Sequence, residues 1–368
     1  MLVAGRYRLE AVIGRGGMGE VWRGLDEVLG RPVAVKLLLN DGVDASAAAR
    51  FRLEAQTSAR LNHPHVVGMF DFGAWEDRFF LVMELVEGDS LAGELTAGGP
   101  LDPDRLAQVA QQAAEGLAAA HAQGIVHRDI KPGNLLGAHD GTGTVRIADF
   151  GIARFLDDPS AGLTSTGQIV GTGLYLAPER AIGNPASPAS DLYSLGCVLY
   201  QLAVGKPPFD AETATALLYQ HVDAPPVPPH QRGAALPPAF EAYLLGMLAK
   251  RPEDRPTARQ TADWFGSGAW RGAPEPLPPE LPGAASGHGR SAGPRAAGAP
   301  AGTVAPPRTR AAAPTASAAG DGWNTTVHRV PPRRPGLRTS LRRHPRTVAV
   351  VGGTFLFASA VLVGLTWF

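Results

Sequence analysis

His127-Arg128-Asp129-Ile130-Lys131-Pro132-Gly133-Asn134 is the stretch whose reading decides the fold. It puts an acid, a base and an amide within eight residues, after a helical segment and before an apolar run. A carboxylate at Asp129 can orient a hydroxyl nucleophile and accept its proton. Lys131 can neutralise charge on a transferring phosphoryl group, and Asn134 can offer an amide oxygen to a hard cation. A polar loop capping a helix is the competing reading. The functional reading therefore requires partners elsewhere in the chain.

Upstream, Tyr7 to Ile13 alternates as a half-buried strand does. Gly14-Arg15-Gly16-Gly17-Met18-Gly19 follows, then the strand-like Glu20-Val21-Trp22-Arg23. The G-x-G-x-x-G spacing fits a plain glycine turn, a dinucleotide fingerprint or a phosphate cover. A dinucleotide site requires a helix after the glycines, and here a strand follows. In a strand–glycine loop–strand unit, backbone N–H groups can lie over phosphates that a Cβ would hold away. In Val33-Ala34-Val35-Lys36-Leu37-Leu38-Leu39, the valines, Leu37 and Leu39 share one face and Ala34 and Lys36 the other. A lysine in so apolar a strand is costly unless paired. Lysine is scarce, 4 against 30 Arg, and both Lys36 and Lys131 fall in these motifs. Ala45 to Leu61 predicts a helix with Phe51, Ala55 and Ser58 along one side. Glu54, its only acid, is the expected partner of Lys36; Arg50, Arg52 and Arg60 make a solvated Glu the competing reading.

Arg78 to Gly88 predicts a strand ending in a hinge, and Asp102-Pro103-Asp104 opens a helix running to about His121. After the opening stretch, Leu135-Leu136 and Thr144 to Ala148 predict a short hairpin that delivers Asp149-Phe150-Gly151. Asp149 offers oxygen ligands to Mg²⁺, as Asn134 does. A Gly/Ser/Thr-rich loop runs on to Ala177-Pro178-Glu179, and Asp191 opens a strongly apolar helix.

The net charge of zero hides two halves. Residues 1–270 carry 22 Lys+Arg against 31 Asp+Glu, a balance of −9, and residues 271–368 carry 12 Arg against 3 Asp+Glu, a balance of +9. The one cysteine, Cys197, lies in an apolar run and excludes an intrachain disulfide. It reads as a small buried hydrophobe. No apolar run near Met1 reads as a secretory signal. The histidines of Asn62-His63-Pro64-His65 read as turn and helix-end residues rather than metal ligands.

In this order and spacing, the motifs resemble the eukaryotic-like (Hanks-type) protein kinases over residues 7–265. They are most similar to the membrane-anchored Ser/Thr kinases of actinobacteria. The resemblance implies an α+β, two-lobed protein kinase fold, with an antiparallel sheet and one helix in the N-lobe and a mainly helical C-lobe. It implies ATP, with Mg²⁺ or Mn²⁺, held between the lobes by Ile13, Gly14, Arg15, Gly16, Gly17, Met18, Gly19, Glu20, Val21, Ala34, Lys36, Met83, Glu84, Val86 and Leu136. Met83 takes the gatekeeper position, and the Glu84 carbonyl and Val86 N–H meet the adenine edge. Lys36, paired with Glu54, contacts the phosphates; Asn134 and Asp149 hold the metal; Asp129 is the base, assisted by Lys131.

Lys131 and Thr172 match Ser/Thr rather than tyrosine kinases. Thr164 and Thr166 take the place of activating phosphosites, with Arg128, and secondarily Arg154, as the receiving cation. Asp191 would brace the catalytic loop, and Glu179 and Arg255 would form a buried ion pair. Ser58 is polar where the family usually has an apolar residue, which is expected to weaken the active position of its helix. The implied partners are Ser/Thr-containing proteins and the chain itself, through autophosphorylation and homodimerisation; no nucleic acid is implied. A pseudokinase scaffold is the alternative, opposed by the presence of Lys36, Asp129, Asn134 and Asp149. A small-molecule kinase is disfavoured by Ala177-Pro178-Glu179.

Residues 266–346 are rich in Pro, Ala, Gly and Arg and predict a disordered juxtamembrane linker. Residues 347–368 predict a transmembrane helix. Val348 to Phe368 is 21 residues without a charge, about 31 Å long at 1.5 Å per residue, which matches the hydrocarbon core. Arg338, Arg342, Arg343 and Arg346 precede it. They predict a cytoplasmic kinase domain on a single-pass cell-membrane protein and suit anionic lipid headgroups. Familiar sensor kinases continue into an extracellular domain; with the sequence ending at Phe368, direct sensing outside is not expected.

Overall fold

The alternating segments of the first 90 residues fold as sheet. β1 (Leu2–Val3), β2 (Tyr7–Gly16), β3 (Gly19–Asp26), β4 (Arg31–Leu38), β5 (Met69–Trp75) and β6 (Arg78–Met83) form one antiparallel sheet in the order β1-β2-β3-β4-β6-β5. The structure, a computed structural model, describes residues 1–16, 19–38, 45–76, 78–150 and 173–274, without the side chains of 45–48 and 50. Gly17, Met18, Gly151, Arg154, Thr164, Thr166, Thr172 and the expected membrane segment lie outside the described residues.

The period of two gives the sheet two apolar faces. On one, Tyr7, Leu9, Val33, Val35, Leu37, Phe80 and Val82 form a core with Val3. On the other, α1 (Ala45–Ser58) lays Phe51 and Ala55 against Leu38, Phe79 and Leu81. Phe51 stacks on Phe79 with centroids 4.4 Å apart. Gly19 is fixed by the fold itself: its φ is 139°, and a Cβ would collide with the Leu37 carbonyl of β4. At Gly16 a Cβ would meet nothing within 4 Å among the described residues, so none of them demands glycine there.

The second lobe comprises α2 (Leu91–Gly98), α3 (Pro103–His121), α4 (Pro178–Ala181), α5 (Pro188–Val204), α6 (Ala214–Asp223), α7 (Pro238–Met247) and α8 (Ala258–Ser267). A small sheet, β7 (Gly88–Ser90), β8 (Leu135–Ala138) and β9 (Val145–Ile147), runs in the order β7-β8-β9. α3 starts where its sequence dictates. Asp102 accepts from Arg105 N at 2.9 Å and Pro103 occupies the first turn. Its Leu106, Val109, Ala110, Ala113, Ala114 and Leu117 are buried in the main core with Leu192, Leu195, Val198, Leu199 and Leu202 of α5. Ser187 and Ser190 close a capping box on α5, which ends at left-handed Gly205 (φ 87°).

Packing continues beyond both limits read from the sequence. Before residue 7, Val3 is fully buried and pairs with Tyr7. After residue 265, the expected linker is replaced as far as residue 274 by ordered chain. The physical reason is Trp270, 4% exposed, which meets Phe240 edge-on at 5.8 Å and carries the Arg271 guanidinium over its ring at 3.9 Å. Among the described residues no helix is long and apolar enough to cross a membrane.

Candidate active site

Strand register assembles the upper half of the site. Val21 opposes Lys36, Lys36 opposes Leu81, and Ala34 opposes Met83, so all five share one face of the sheet. Lys36 is only 5% exposed, and such a buried ammonium requires an anion. Its Nζ lies 2.7 Å from Asp149 Oδ2. Among the described residues the carboxylate that meets Lys36 is therefore Asp149, rather than the expected Glu54. Asp149 takes a left-handed φ of 64° at the end of the β8–β9 hairpin, and its carboxylate closes on β4. Glu54 lies half-buried on α1. Residue order along the chain does not encode which of two candidate carboxylates Lys36 meets.

The stretch from His127 to Asn134 is held from several sides. Asp191, 1% exposed at the start of α5, accepts from His127 N (Oδ2), Arg128 N (Oδ1) and His121 Nε2 (Oδ2), each at 2.8 Å. His127 bonds Ala148 O through Nε2 at 2.8 Å and accepts from Asp129 N through Nδ1 at 3.2 Å. That pattern requires the ring hydrogen on Nε2. Arg128 has a φ of 73°, a left-handed conformation that a non-glycine residue keeps only when its neighbours enforce it.

Asp129, Lys131 and Asn134 form a single cluster. Lys131 Nζ lies 2.7 Å from Asp129 Oδ2. Asn134 Nδ2 donates to Asp129 O at 2.7 Å and to Oδ2 at 3.2 Å. The amide nitrogen of Asn134 is thus engaged with Asp129, while its backbone O accepts from Ala148 N at 2.8 Å. The loop and the strand leading to Asp149 are stitched together at this point.

Other expected residues fall around the cleft as follows. Gly14 pairs with Val21, Arg15 with Glu20 and Gly16 with Gly19; the Arg15 and Glu20 side chains meet at 3.2 Å. Ile13 is 52% exposed. Met83 is buried at the end of β6, followed by the hinge residues Glu84 and Val86, both half-buried. Glu84 N donates to Gly68 O at 2.8 Å, and its carboxylate pairs with Arg146 of β9. Leu136, half-buried on β8, lies opposite Ser90 and Arg146.

Glu179 and Arg255 form a two-pronged pair, with both N···O distances 2.8 Å. Ser190 Oγ adds a bond to Glu179 at 2.7 Å. Burial pushes the Glu179 carboxyl up, but the bonds from Arg255 and Ser190 outweigh it and hold it below its ordinary value. The remaining Arg255 donors reach the carbonyls of Ala249, Ala189 and Lys250. Cys197 is fully buried, and burial raises its thiol well above the ordinary value, so it is no nucleophile.

Three contributors escaped sequence reasoning. His121 as a third donor to Asp191 had only a helix-end histidine as its signal. The Glu84–Arg146 tie between hinge and β9 had none. Ser58 stood out as polar, but its acceptor, the Phe150 carbonyl at 2.9 Å, was invisible.

Residues 7–265 match the family model described as protein kinase domain. The chain is 43% identical over 263 residues to a probable serine/threonine-protein kinase PknB of Corynebacterium glutamicum, covering 69% of this chain and 40% of that protein. It is 42% identical over 255 residues to the serine/threonine-protein kinase PknB of Mycobacterium tuberculosis, covering 68% and 40% respectively. The chain therefore spans about two fifths of these relatives' length. A crystal structure of Rad53 residues 1–466 in complex with AMP-PNP aligns with a TM-score of 0.59 at 26% identity, over 72% of this chain and 65% of that one. The chain belongs to the protein kinase family, among its bacterial Hanks-type members of actinobacterial type.

Proposed function

We propose that the chain is a serine/threonine protein kinase, which moves the γ-phosphoryl group of ATP to Ser and Thr hydroxyls of proteins, its own Thr164 and Thr166 included. One observation carries the reading: the Lys36–Asp149 pair at 2.7 Å joins the sheet to the end of β9, and the neighbouring Ala148 bonds the loop on which Lys131 and Asn134 both contact Asp129. A scaffold needs no such convergence of charge, and the relatives' names give the pseudokinase alternative no support.

Asp129 orients the incoming hydroxyl and takes its proton as oxygen bonds to the γ-phosphorus and the bond to the β-bridging oxygen breaks, releasing ADP. Lys131, already against the same carboxylate, holds it in place and offsets negative charge on the moving group. Lys36 and the glycine-loop backbone between Gly14 and Gly19 hold the phosphates; Val21, Ala34, Met83 and Leu136 frame the base, and Glu84 and Val86 present the hinge. The carboxylate of Asp149 and the amide oxygen of Asn134 form the hard oxygen set that Mg²⁺ prefers; once bound, the ion would supply charge neutralisation of the phosphates. The carbonyl of Asp129 occupies the Asn134 Nδ2 group, which leaves the Asn134 oxygen for that purpose.

The reading extends to the tail. The Arg-rich run before an uncharged stretch of 21 residues at Val348 to Phe368 supports a single membrane span, a cytoplasmic catalytic domain and contact with anionic lipid headgroups. Self-association would then bring Thr164 and Thr166 of one copy to the site of another. The test is incubation of the purified chain with γ-labelled ATP and Mg²⁺. Wild type labels itself and an added Ser/Thr protein. Lys36→Met is expected to lower labelling at least about 100-fold; labelling within twofold of wild type would refute the reading.

A further inference from the structure

Two adjacent hydroxyls at the end of α1 behave differently. Thr57 Oγ1 donates back to Leu53 O at 2.8 Å, the local bond a helical hydroxyl ordinarily makes. Ser58, 6% exposed, instead donates across the molecule to Phe150 O at 2.9 Å, bridging 92 residues. Phe150 is also held by its ring, which is 5% exposed and meets the His127 imidazole edge-on at 4.6 Å. The residue before it, Asp149, carries the left-handed φ of 64°. Phe150 is thus clamped at its ring by the catalytic loop and at its carbonyl by α1. Between the clamps and the hairpin, a strained backbone is held with its carboxylate at Lys36.

We propose that Ser58 is a positioning residue: its hydroxyl fixes the Phe150 carbonyl and so holds Asp149 in the conformation that faces Lys36, linking α1 to the reacting end of the site. The inference rests on the kinase reading above. It reverses the expectation that a polar residue here simply loosens α1. The hydroxyl adds a restraint on the Phe150 carbonyl that a methyl group could not supply. A serine-sized donor suffices, since the acceptor is already within hydrogen-bond range.

Ser58→Ala deletes one oxygen, and Ser58→Cys keeps the volume with a weak donor. In the full chain, kcat and KM for ATP are measured alongside thermal shifts induced by ATP with EDTA and by ATP with Mg²⁺. Ser58→Ala is expected to lower kcat about tenfold, the loss typical of one buried hydrogen bond, with KM for ATP changed less than about twofold. The extra thermal shift that Mg²⁺ adds to ATP shrinks, while the shift with ATP and EDTA is kept. Ser58→Cys falls between wild type and Ser58→Ala in both readouts, and decides the matter alone if Ser58→Ala does not fold. A lower melting temperature with wild-type kcat and a wild-type Mg²⁺-dependent shift would overturn the proposal, leaving Ser58 a packing residue. If wild type itself transfers no phosphate, the kinase reading fails first, and the thermal-shift arm still decides whether Ser58 governs Asp149.

Discussion

Arg255 and Lys36 are both nearly buried cations facing a carboxylate, yet the two lobes hold them differently. Arg255 binds both oxygens of Glu179 and three backbone carbonyls, with Ser190 completing the carboxylate. Asp191, close by, is held by two backbone N–H groups and His121. Among the described residues Lys36 makes one close polar contact, with Asp149, whose backbone belongs to the other lobe. Where every donor and acceptor is satisfied from several elements, the group is a fixed brace. Where one bond spans the cleft, the partner can be exchanged, as a site that must admit charged phosphates and a metal requires. The same contrast separates Asp191, which fixes the backbone of His127 and Arg128, from Asp129, the base of the proposed reaction.

The brace can be broken most visibly at Glu179. Glu179→Ala strands the Arg255 guanidinium in the core, and urea unfolding should show a loss of about 3–5 kcal/mol. Lys36→Met, by contrast, replaces a cation with an apolar chain of similar length and should change unfolding by less than about 1.5 kcal/mol while abolishing transfer. A Lys36→Met variant as destabilised as Glu179→Ala would erase the distinction drawn between the lobes.

A smaller effect lies in pH. His221 is fully buried between α5 and α6, with Nδ1 2.9 Å from the Tyr193 hydroxyl and its ring edge-on to Phe209 at 5.0 Å. Burial, helped by the Lys250 charge, pushes it from 6.5 down to about 4. The unfolded chain therefore binds the proton first. Stability from neutral His221 is complete above pH 6.5 and falls as pH drops toward 4. Melting temperature should decline over that window, and His221→Phe should flatten the decline; an unchanged slope in that variant would assign the acid sensitivity elsewhere.

Much of this was legible in the residue order because it rests on local periodicity and local chemistry. The alternation of Val33 to Leu39, the Asp102-Pro103 start of α3, and the spacing from Gly14 to Arg255 need no knowledge of distant contacts. What was not legible is partner choice over long sequence separations. Two acids in the sequence could have answered Lys36, and the close contact is with Asp149, which the chain presents at a left-handed φ of 64°. Ser58 of α1 finds an acceptor 92 residues away, and Glu84, just past β6, finds Arg146 of β9, because tertiary packing rather than composition brings them together. Trp270 shows the same limit at the boundary: Pro- and Gly-rich surroundings read as linker, while one aromatic side chain extends the core.

The central claim is that Asp129 serves a Ser or Thr hydroxyl in phosphoryl transfer. It is tested most directly by phosphoamino-acid analysis of the chain after incubation with γ-labelled ATP and Mg²⁺, comparing wild type with Asp129→Asn. The account predicts phosphoserine and phosphothreonine in wild type and a rate lower by about 100-fold or more in Asp129→Asn, with the melting temperature little changed. Equal labelling of the two proteins, or label confined to tyrosine, would contradict it.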